Sequence, residues 1–438
     1  MKIKQGYHFR NWAGNERCHP ERFFQPQTHD EIIAIVREAV KAGRKLRVTG
    51  AGHSWSPIAC TGDYMVNLDL YNKVIRMDKE KKRVTVQAGI RLKELNKILD
   101  ENGLALSNLG SICEQSVAGL MTTGTHGTGI SFQILSSAII GMKVITSSGE
   151  VMEIDETSAY LNAFRVSLGV LGIISEITLQ CSDAFNLREE SGPVWFDEAL
   201  EQLPELLQRN DHVKLWWFPH VRRLMLYRYN RAEKMIIPRA SVYSSFLKWT
   251  EDVFLVRYFF ALMLRVGNLL PKQIPAINRF ICRIHLKKIQ RAGKSHEIFN
   301  VPMPPRHRES EYAIPVERAA DALDELRREI EHRRMKVNFV VEVRFVKSDS
   351  IWLSPAYGRD SCYIGGYLYG DKRWQPYLEL FEGIMKKYDG RPHWGKEFSP
   401  ELHDFGKLYP RWFDFLKLKQ QMDSSNRFAN SLTEKLFG

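Results

Sequence analysis

The sequence predicts an α+β protein of two domains. At 438 residues the chain is longer than one hydrophobic core ordinarily serves. Up to about residue 180 strand-like runs are mixed with amphipathic helical ones, and from Phe246 to Lys294 the composition turns aromatic, aliphatic and basic. With 44% hydrophobic and 26% charged residues, the chain reads as globular rather than disordered or fibrous.

Taken in order, Thr28 to Gly43 is a well-signalled helix. Thr28 and Glu31 have capping-box spacing, Ile32, Ile35, Val36 and Ala39 form an apolar stripe, and Gly43 closes it. Leu46 to Thr49, Met65 to Leu70, Arg83 to Ala88 and Ile173 to Leu179 read as strands. Lys143 to Ile154 reads as a hairpin turning at Ser147-Ser148-Gly149. Leu92 to Asn102 is a helix with Leu92, Leu95, Ile98 and Leu99 on one side and Gly103 at its end. In the middle, Arg257 and Arg265 interrupt the apolar run and Pro271 ends it, so no window is long enough for a transmembrane helix. Helices packed in a second domain and an interfacial amphipathic segment both stay open for 246–294. A Pro-rich connector, Val301 to Pro305, precedes a helix from Val316 to about Arg334, a strand from Val337 to Phe345, and aromatic-rich, mostly polar helices after Gly390. No internal repeat is present.

The formal net charge of +12 admits nucleic acid, a membrane surface or an anionic ligand as partner. The chain carries no nucleic-acid reading motif and its basic excess is concentrated in the middle, so no nucleic-acid partner is expected. The six cysteines, Cys18, Cys60, Cys113, Cys181, Cys282 and Cys362, include no C-x-x-C pair. That argues against a zinc site and a disulfide scaffold, and no metal is expected. The start, MKIKQGYHFRNW, has no apolar core of signal-peptide length, so a cytoplasmic location is the default.

Two glycine loops stand out, RVTGAGHSWS over Arg47 to Ser56 and TGTHGTG over Thr123 to Gly129. Glycine lets backbone crowd a bound group, and successive bare N–H groups can hold a phosphate. A Rossmann loop needs a third glycine and a following helix, but here Trp55 and a turn-and-strand pattern follow. The second loop lacks the Gly-Lys-Ser/Thr ending of a triphosphate loop. Each alone could be a structural turn. Together, each with a histidine, they favour one anionic cofactor clasped from two sides. His53 is then a satisfied loop residue or a nucleophilic imidazole held against that cofactor; no second metal ligand sits at a useful spacing.

Strand side chains alternate, so Glu342 and Arg344 share a face about 6.6 Å apart. Two charges among Phe and Val need partners or a ligand. A cross-strand ion pair on a solvated face is one account, and a hydroxyl-rich substrate met by acceptor and donor groups is the other. The loop Arg391 to Lys396 gathers histidine, tryptophan and lysine. Its lysine is either a surface group or a stabiliser of developing negative charge.

These residues carry a resemblance. The chain resembles the FAD-linked sugar-lactone and alditol oxidases of the vanillyl-alcohol-oxidase superfamily, most closely the gulonolactone and arabinonolactone oxidases. The resemblance runs through FRNWAGN, VTGAGHSWSPIACTGDYMVNL, VTVQAGIRLKELNKILDENGLALSNLGSICEQSVAGLMTTGTHGTG, SLGVLGIISEITLQC, EYAIP, EVRF and RPHWGK. The 246–294 segment is similar in character to the membrane-associated one of the animal enzymes.

The resemblance implies a two-subdomain PCMH-type FAD-binding domain over 1–180, a cap domain with an antiparallel sheet over 181–389, and a final segment, 390–438, returning to the flavin. It implies FAD joined covalently to His53 and wrapped by Val48, Thr49, Gly50, Ala51, Gly52 and Ser54. Ser116, Gly119, Thr123, Gly124, Thr125 and His126 continue that cradle, and Ile174 binds through its backbone. Ser111 lies near the flavin and the substrate, Glu342, Arg344 and Lys396 hold the substrate, and His393 approaches the flavin. Gly110 occupies the position where a small residue controls oxygen access. The implied reaction is hydride transfer from a sugar lactone or polyol, with O2 or another electron acceptor, a cytochrome or quinone, regenerating the flavin.

Overall fold

The computed structural model describes residues 1–232, 258–302 and 304–438. Its first two sheets come from the first 180 residues. A four-stranded sheet runs in the order Lys2–Gln5, Arg22–Gln25, Tyr64–Asn67, Leu46–Thr49, with the last three strands parallel. An antiparallel five-stranded sheet follows, in the order Val151–Ile154, Ile139–Ile145, Ile173–Gln180, Arg83–Gln87, Val74–Asp78.

The helix His29–Lys41 buries Ile32, Ile35, Val36 and Ala39, the stripe its spacing predicts. Thr28 Oγ1 accepts the Glu31 N–H at 3.2 Å, but only half of the capping box forms. Glu31 turns to the Gln27 N–H at 2.7 Å and to the N-terminal amine. Leu92–Glu101 buries Leu92, Leu95 and Leu99. The hairpin turns where expected, with Gly149 at φ +83° and its N–H on the Thr146 carbonyl.

The third sheet is antiparallel and eight-stranded. Its order is Ile289–Lys294, Asn186–Trp195, Arg223–Ala232, His212–Trp217, Val341–Val346, Ser361–Leu368, Arg308–Pro315, Arg391–Pro392. Helices Ala319–His332 and Trp374–Lys387 cover one face, burying Leu323, Leu326, Tyr377 and Phe381 against Val341, Val343 and Ile364. The expected strand from Val337 begins only at Val341. Asn338 side-chain bonds to the backbone of Tyr369, with Nδ2 donating at 3.2 Å and Oδ1 accepting at 3.1 Å, take the place of the ladder there.

Of the middle segment, residues 246–257 lie outside the described residues. Helices Phe260–Leu269 and Ile274–His285 pack through Leu264, Ile281 and Cys282 on Phe218, Phe339 and Val340. Ile289–Lys294 is a strand on Asn186–Ser191, where β pairing overrides the helical reading. Among the described residues no helix is long and apolar enough to cross a membrane. The final helices return to the first domain, where Trp412, Phe415, Phe428 and Phe437 join the core that holds Phe24, Ile35 and Leu46.

Candidate active site

The first glycine loop leaves the strand Leu46–Thr49 at the edge of the four-stranded sheet and is braced from the adjacent strand by Asn67, whose Nδ2 donates to the Gly50 carbonyl at 3.3 Å. It walls a cavity of about 1060 Å³, part of it open to solvent, together with Ser116, Gly119, Thr123 and Ile174. Val48, Thr49, Gly50, Ala51, Gly52, His53 and Ser54 all line this space. The loop needs its glycines: a Cβ on Gly50 would lie 2.0 Å from Ser116 Oγ, and Gly52 has φ +67°. Thr49 Oγ1 is buried in the wall without a protein partner. Bare backbone, an orphaned hydroxyl and small side chains suit a long polar cofactor with a pyrophosphate.

A second cavity, about 1370 Å³ and also partly open, lies against the eight-stranded sheet. The two share His53, Ser54, Gln115 and Thr123 as common wall, so His53 stands at their junction. His53 packs on Trp12, ring centroids 5.9 Å apart. Burial, and then Arg91, push its imidazole down to about 4, so the ring is neutral near pH 7. Gly110, Ser111, Thr125, His126, Glu342, Arg344, His393 and Lys396 line the second cavity. Gly124 lines neither; it is a turn residue at φ +72°.

Glu342 and Arg344 share a face, as strand alternation requires, but that face is buried rather than solvated. Arg344 Nη2 donates to Glu342 Oε2 at 2.8 Å and to Ser111 Oγ at 2.9 Å. The other Glu342 contacts are Trp216 Nε1 at 2.7 Å and Tyr367 Oη at 2.6 Å, with Lys214 Nζ at 4.0 Å. Burial alone would raise this carboxyl, yet Arg344 and Lys214 bring it to about 2. Burial lowers Lys214 to about 8, with Glu342 opposing, and its Nζ lies 4.5 Å from the Tyr227 ring centroid.

The loop after Gly390 is buried too. Trp394 is enclosed in the core, its Nε1 donating to the Leu353 carbonyl at 2.7 Å. Gly395 O accepts the Trp55 N–H at 2.7 Å, which joins this loop to the segment just after His53. Lys396 is ion-paired with Glu309 and lies 4.1 Å from the Trp55 ring centroid, so it is no surface lysine. Glu311, one pleat repeat along from Glu309, has His126 Nε2 at 3.3 Å. Burial alone would raise the Glu311 carboxyl, but His126, Lys396 and His393 hold it well below the usual carboxylate range.

His126, Glu311 and His393 bring their ligand atoms within 4.8 Å of one another. Burial drives His393 down to about 3, leaving a neutral ring whose Nδ1 accepts the Gly395 N–H at 3.0 Å. Its proton is then on Nε2, so neither nitrogen keeps a lone pair for a cation.

Sequence reasoning missed Lys214, Trp216, Tyr367, Glu309 and Glu311. Lys214 and Trp216, like Glu309 and Glu311, stand two apart in strands, the same signal that singled out Glu342 and Arg344.

A family model described as D-arabinono-1,4-lactone oxidase matches residues 177–436, and one described as FAD binding domain matches residues 20–155. L-gulonolactone oxidase of Mus musculus is 36% identical to this chain over 441 residues, covering 99% of each. L-gulono-1,4-lactone dehydrogenase of Mycobacterium tuberculosis is 32% identical over 428 residues, covering 98% of each. Among solved structures, cholesterol oxidase from B. sterolicum superposes with a TM-score of 0.85 over 100% of this chain and 97% of that one, at 15% identity, a likeness of fold.

Proposed function

The chain belongs to the D-arabinono-1,4-lactone oxidase family and is an FAD-dependent oxidoreductase of aldonolactones, and from that premise we propose that it oxidises an L-gulono- or D-arabinono-type 1,4-lactone at C2, with O2 as acceptor and hydrogen peroxide as second product. The observation that carries the reading is the junction at His53, where the loop-walled cavity meets the face bearing Glu342, Arg344 and Lys396. In this reading residues 1–180 hold the cofactor, 181–389 the substrate, and 390–438 close on both. FAD, when bound, supplies a two-electron hydride acceptor.

Val48 to Ser54, Ser116, Gly119, Thr123 and Ile174 hold FAD, and the neutral His53 ring offers its lone pair for a covalent link. Glu342, ionised at neutral pH, accepts a hydrogen bond from a substrate hydroxyl. Arg344 and Lys396 donate to the oxygen whose charge grows as the C–H bond breaks, and such donors are each worth about 2.7–4 kcal/mol. Ser111, fixed by Arg344 Nη2 and by the Val301 N–H on its carbonyl at 2.9 Å, faces the reacting carbon.

Gly110 supports the O2 assignment. A Cβ there would come within 3.2 Å of the His126 carbonyl, so alanine would narrow the approach that glycine leaves open. A panel of aldonolactones and alditols assayed under air for peroxide, and without oxygen for dye reduction, tests the reading. Turnover of alditols alone would overturn the substrate, and dye reduction without peroxide would overturn the acceptor.

We place the protein in the cytoplasm at a membrane face. Tyr258, Leu262, Leu269, Leu270 and Phe280 are exposed beside Arg265, Lys272, Arg279 and Arg283, a pattern that suits an anionic bilayer surface. Failure to float with anionic vesicles would remove that contact.

A further inference from the structure

Two of the six free cysteines meet. Cys18 and Cys60 pack against the same small cluster of Phe9, Phe23 and Met65, and the N–H of Thr61, the residue after Cys60, donates to Cys18 Sγ at 3.4 Å. Both are half-buried, and Cys60 also lines the loop-walled cavity. The neighbouring Cys60 lowers the Cys18 thiol from its ordinary value, against burial and Glu16, which favours its thiolate form. By contrast, burial pushes up the thiols of Cys181, Cys282 and Cys362.

What the pair would tie together is specific. Cys18 ends a hairpin of Phe9–Arg10 on Arg17–Cys18. The turn of that hairpin grips the His53 loop from both sides. Trp12 N donates to the Gly52 carbonyl at 2.7 Å, Asn11 Nδ2 to Ser54 O at 2.9 Å, and Asn15 Nδ2 to Trp55 O at 2.8 Å. Cys60 closes the far end of the same loop, where its carbonyl accepts Asn430 Nδ2 at 3.0 Å.

We propose that Cys18 and Cys60 form a reversible disulfide that locks the N-terminal hairpin over the loop carrying His53, with peroxide as oxidant. The Cys18 thiolate attacks one peroxide oxygen, the O–O bond breaks, and one water leaves a sulfenic acid. Cys60 sulfur then displaces the second water, so two thiols and one H2O2 give one disulfide and two waters. That the enzyme supplies this peroxide itself rests on the O2 reading; the reactivity of the pair does not.

The test is peptide mapping of the holoenzyme after brief exposure to added H2O2 and alkylation without reductant. One cross-linked peptide joining Cys18 to Cys60, lighter by two hydrogens, is expected, with the other four cysteines alkylated. The thermal midpoint should rise by several degrees, return with dithiothreitol, and not move in Cys18→Ser or Cys60→Ser. In Cys60→Ser a sulfenic-acid probe should label Cys18. Alkylation of both thiols after oxidation, or a Cys18 that the probe does not label, overturns the proposal. A cross-link formed with added H2O2 but never during lactone turnover under air sinks the O2 reading and leaves the pair standing.

Discussion

Arg344→Ala removes three contacts at once: the 2.8 Å bond to Glu342, the 2.9 Å bond to Ser111 and the 3.4 Å bond to the His126 carbonyl. Two losses can be sized. With its carboxyl at about 2, Glu342 contributes stability that is fully present above its ordinary 4.5 and lost as pH falls through about 2. At 1.36 kcal/mol per unit that is on the order of 3 kcal/mol, in line with about 3–5 kcal/mol for breaking a buried pair. Lys214, 4.0 Å away, keeps part of it. The second loss is kinetic. One preorganised donor to a growing negative charge is worth about 2.7–4 kcal/mol, or roughly a hundred- to thousandfold in kcat. The assay is the initial rate on an aldonolactone at neutral pH, with bound-flavin absorbance and thermal unfolding on the same preparation. Arg344→Lys, which keeps charge but not the fork, should fall between wild type and alanine. A kcat within tenfold of wild type, with flavin bound, would refute the assignment of Arg344 to the reacting oxygen.

Three further outcomes are expected. Lys396→Met should lower turnover a hundredfold or more while the protein stays yellow, because Lys396 is ion-paired with Glu309 and lies over the Trp55 ring rather than lining the first cavity; near-normal rates would exclude it from the chemistry. His53→Ala should leave flavin that acid precipitation removes, and wild type that releases its flavin as readily would disprove the covalent link. Lys214, lowered to about 8, should give kcat/KM a titration near that pH that vanishes in Lys214→Met. Its pH dependence runs the same way as that of Glu342, in a higher window: the unfolded chain binds the extra proton between about 8 and 10.5, so the fold gains stability as pH rises through that window.

Local signals in the sequence reach local structure. The stripe of His29–Lys41 and the turn at Gly149 are dictated within a few residues, and the glycine loops are legible as places of close backbone packing, where a Cβ on Gly50 would run into Ser116. Glu342 and Arg344 are legible as a pair because alternation alone puts them on one face. What alternation does not give is which strand lies beside them. Trp216 stands opposite Glu342 across more than a hundred residues of chain, and Glu309 and Glu311 enter from a strand two places along the sheet. Nor does the sequence show that this face is closed to water, which turns an ordinary surface ion pair into a strongly held one. The late start of the strand at Val341 has a similar origin, since Asn338 reads as any polar residue until Tyr369 is beside it.

The sheet register explains why so many charges can be buried together. Trp216, Glu342, Gly365 and Glu311 form one row across four adjacent strands. Two carboxylates in one row would repel across adjacent strands, but Gly365 stands between them, and a Cβ there would press on Tyr367 at 2.9 Å. Each acid has its own cationic or imidazole partner: Glu342 has Arg344 and Lys214, Glu309 has Lys396, and Glu311 has His126. Three carboxylates against Lys214, Arg344 and Lys396 leave the face balanced before any substrate arrives, the condition under which burying charge is tolerable. A balanced face rich in donors and acceptors fits an uncharged ligand covered in hydroxyls. Such a face suits the closed, uncharged lactone better than a carboxylate- or phosphate-bearing ligand.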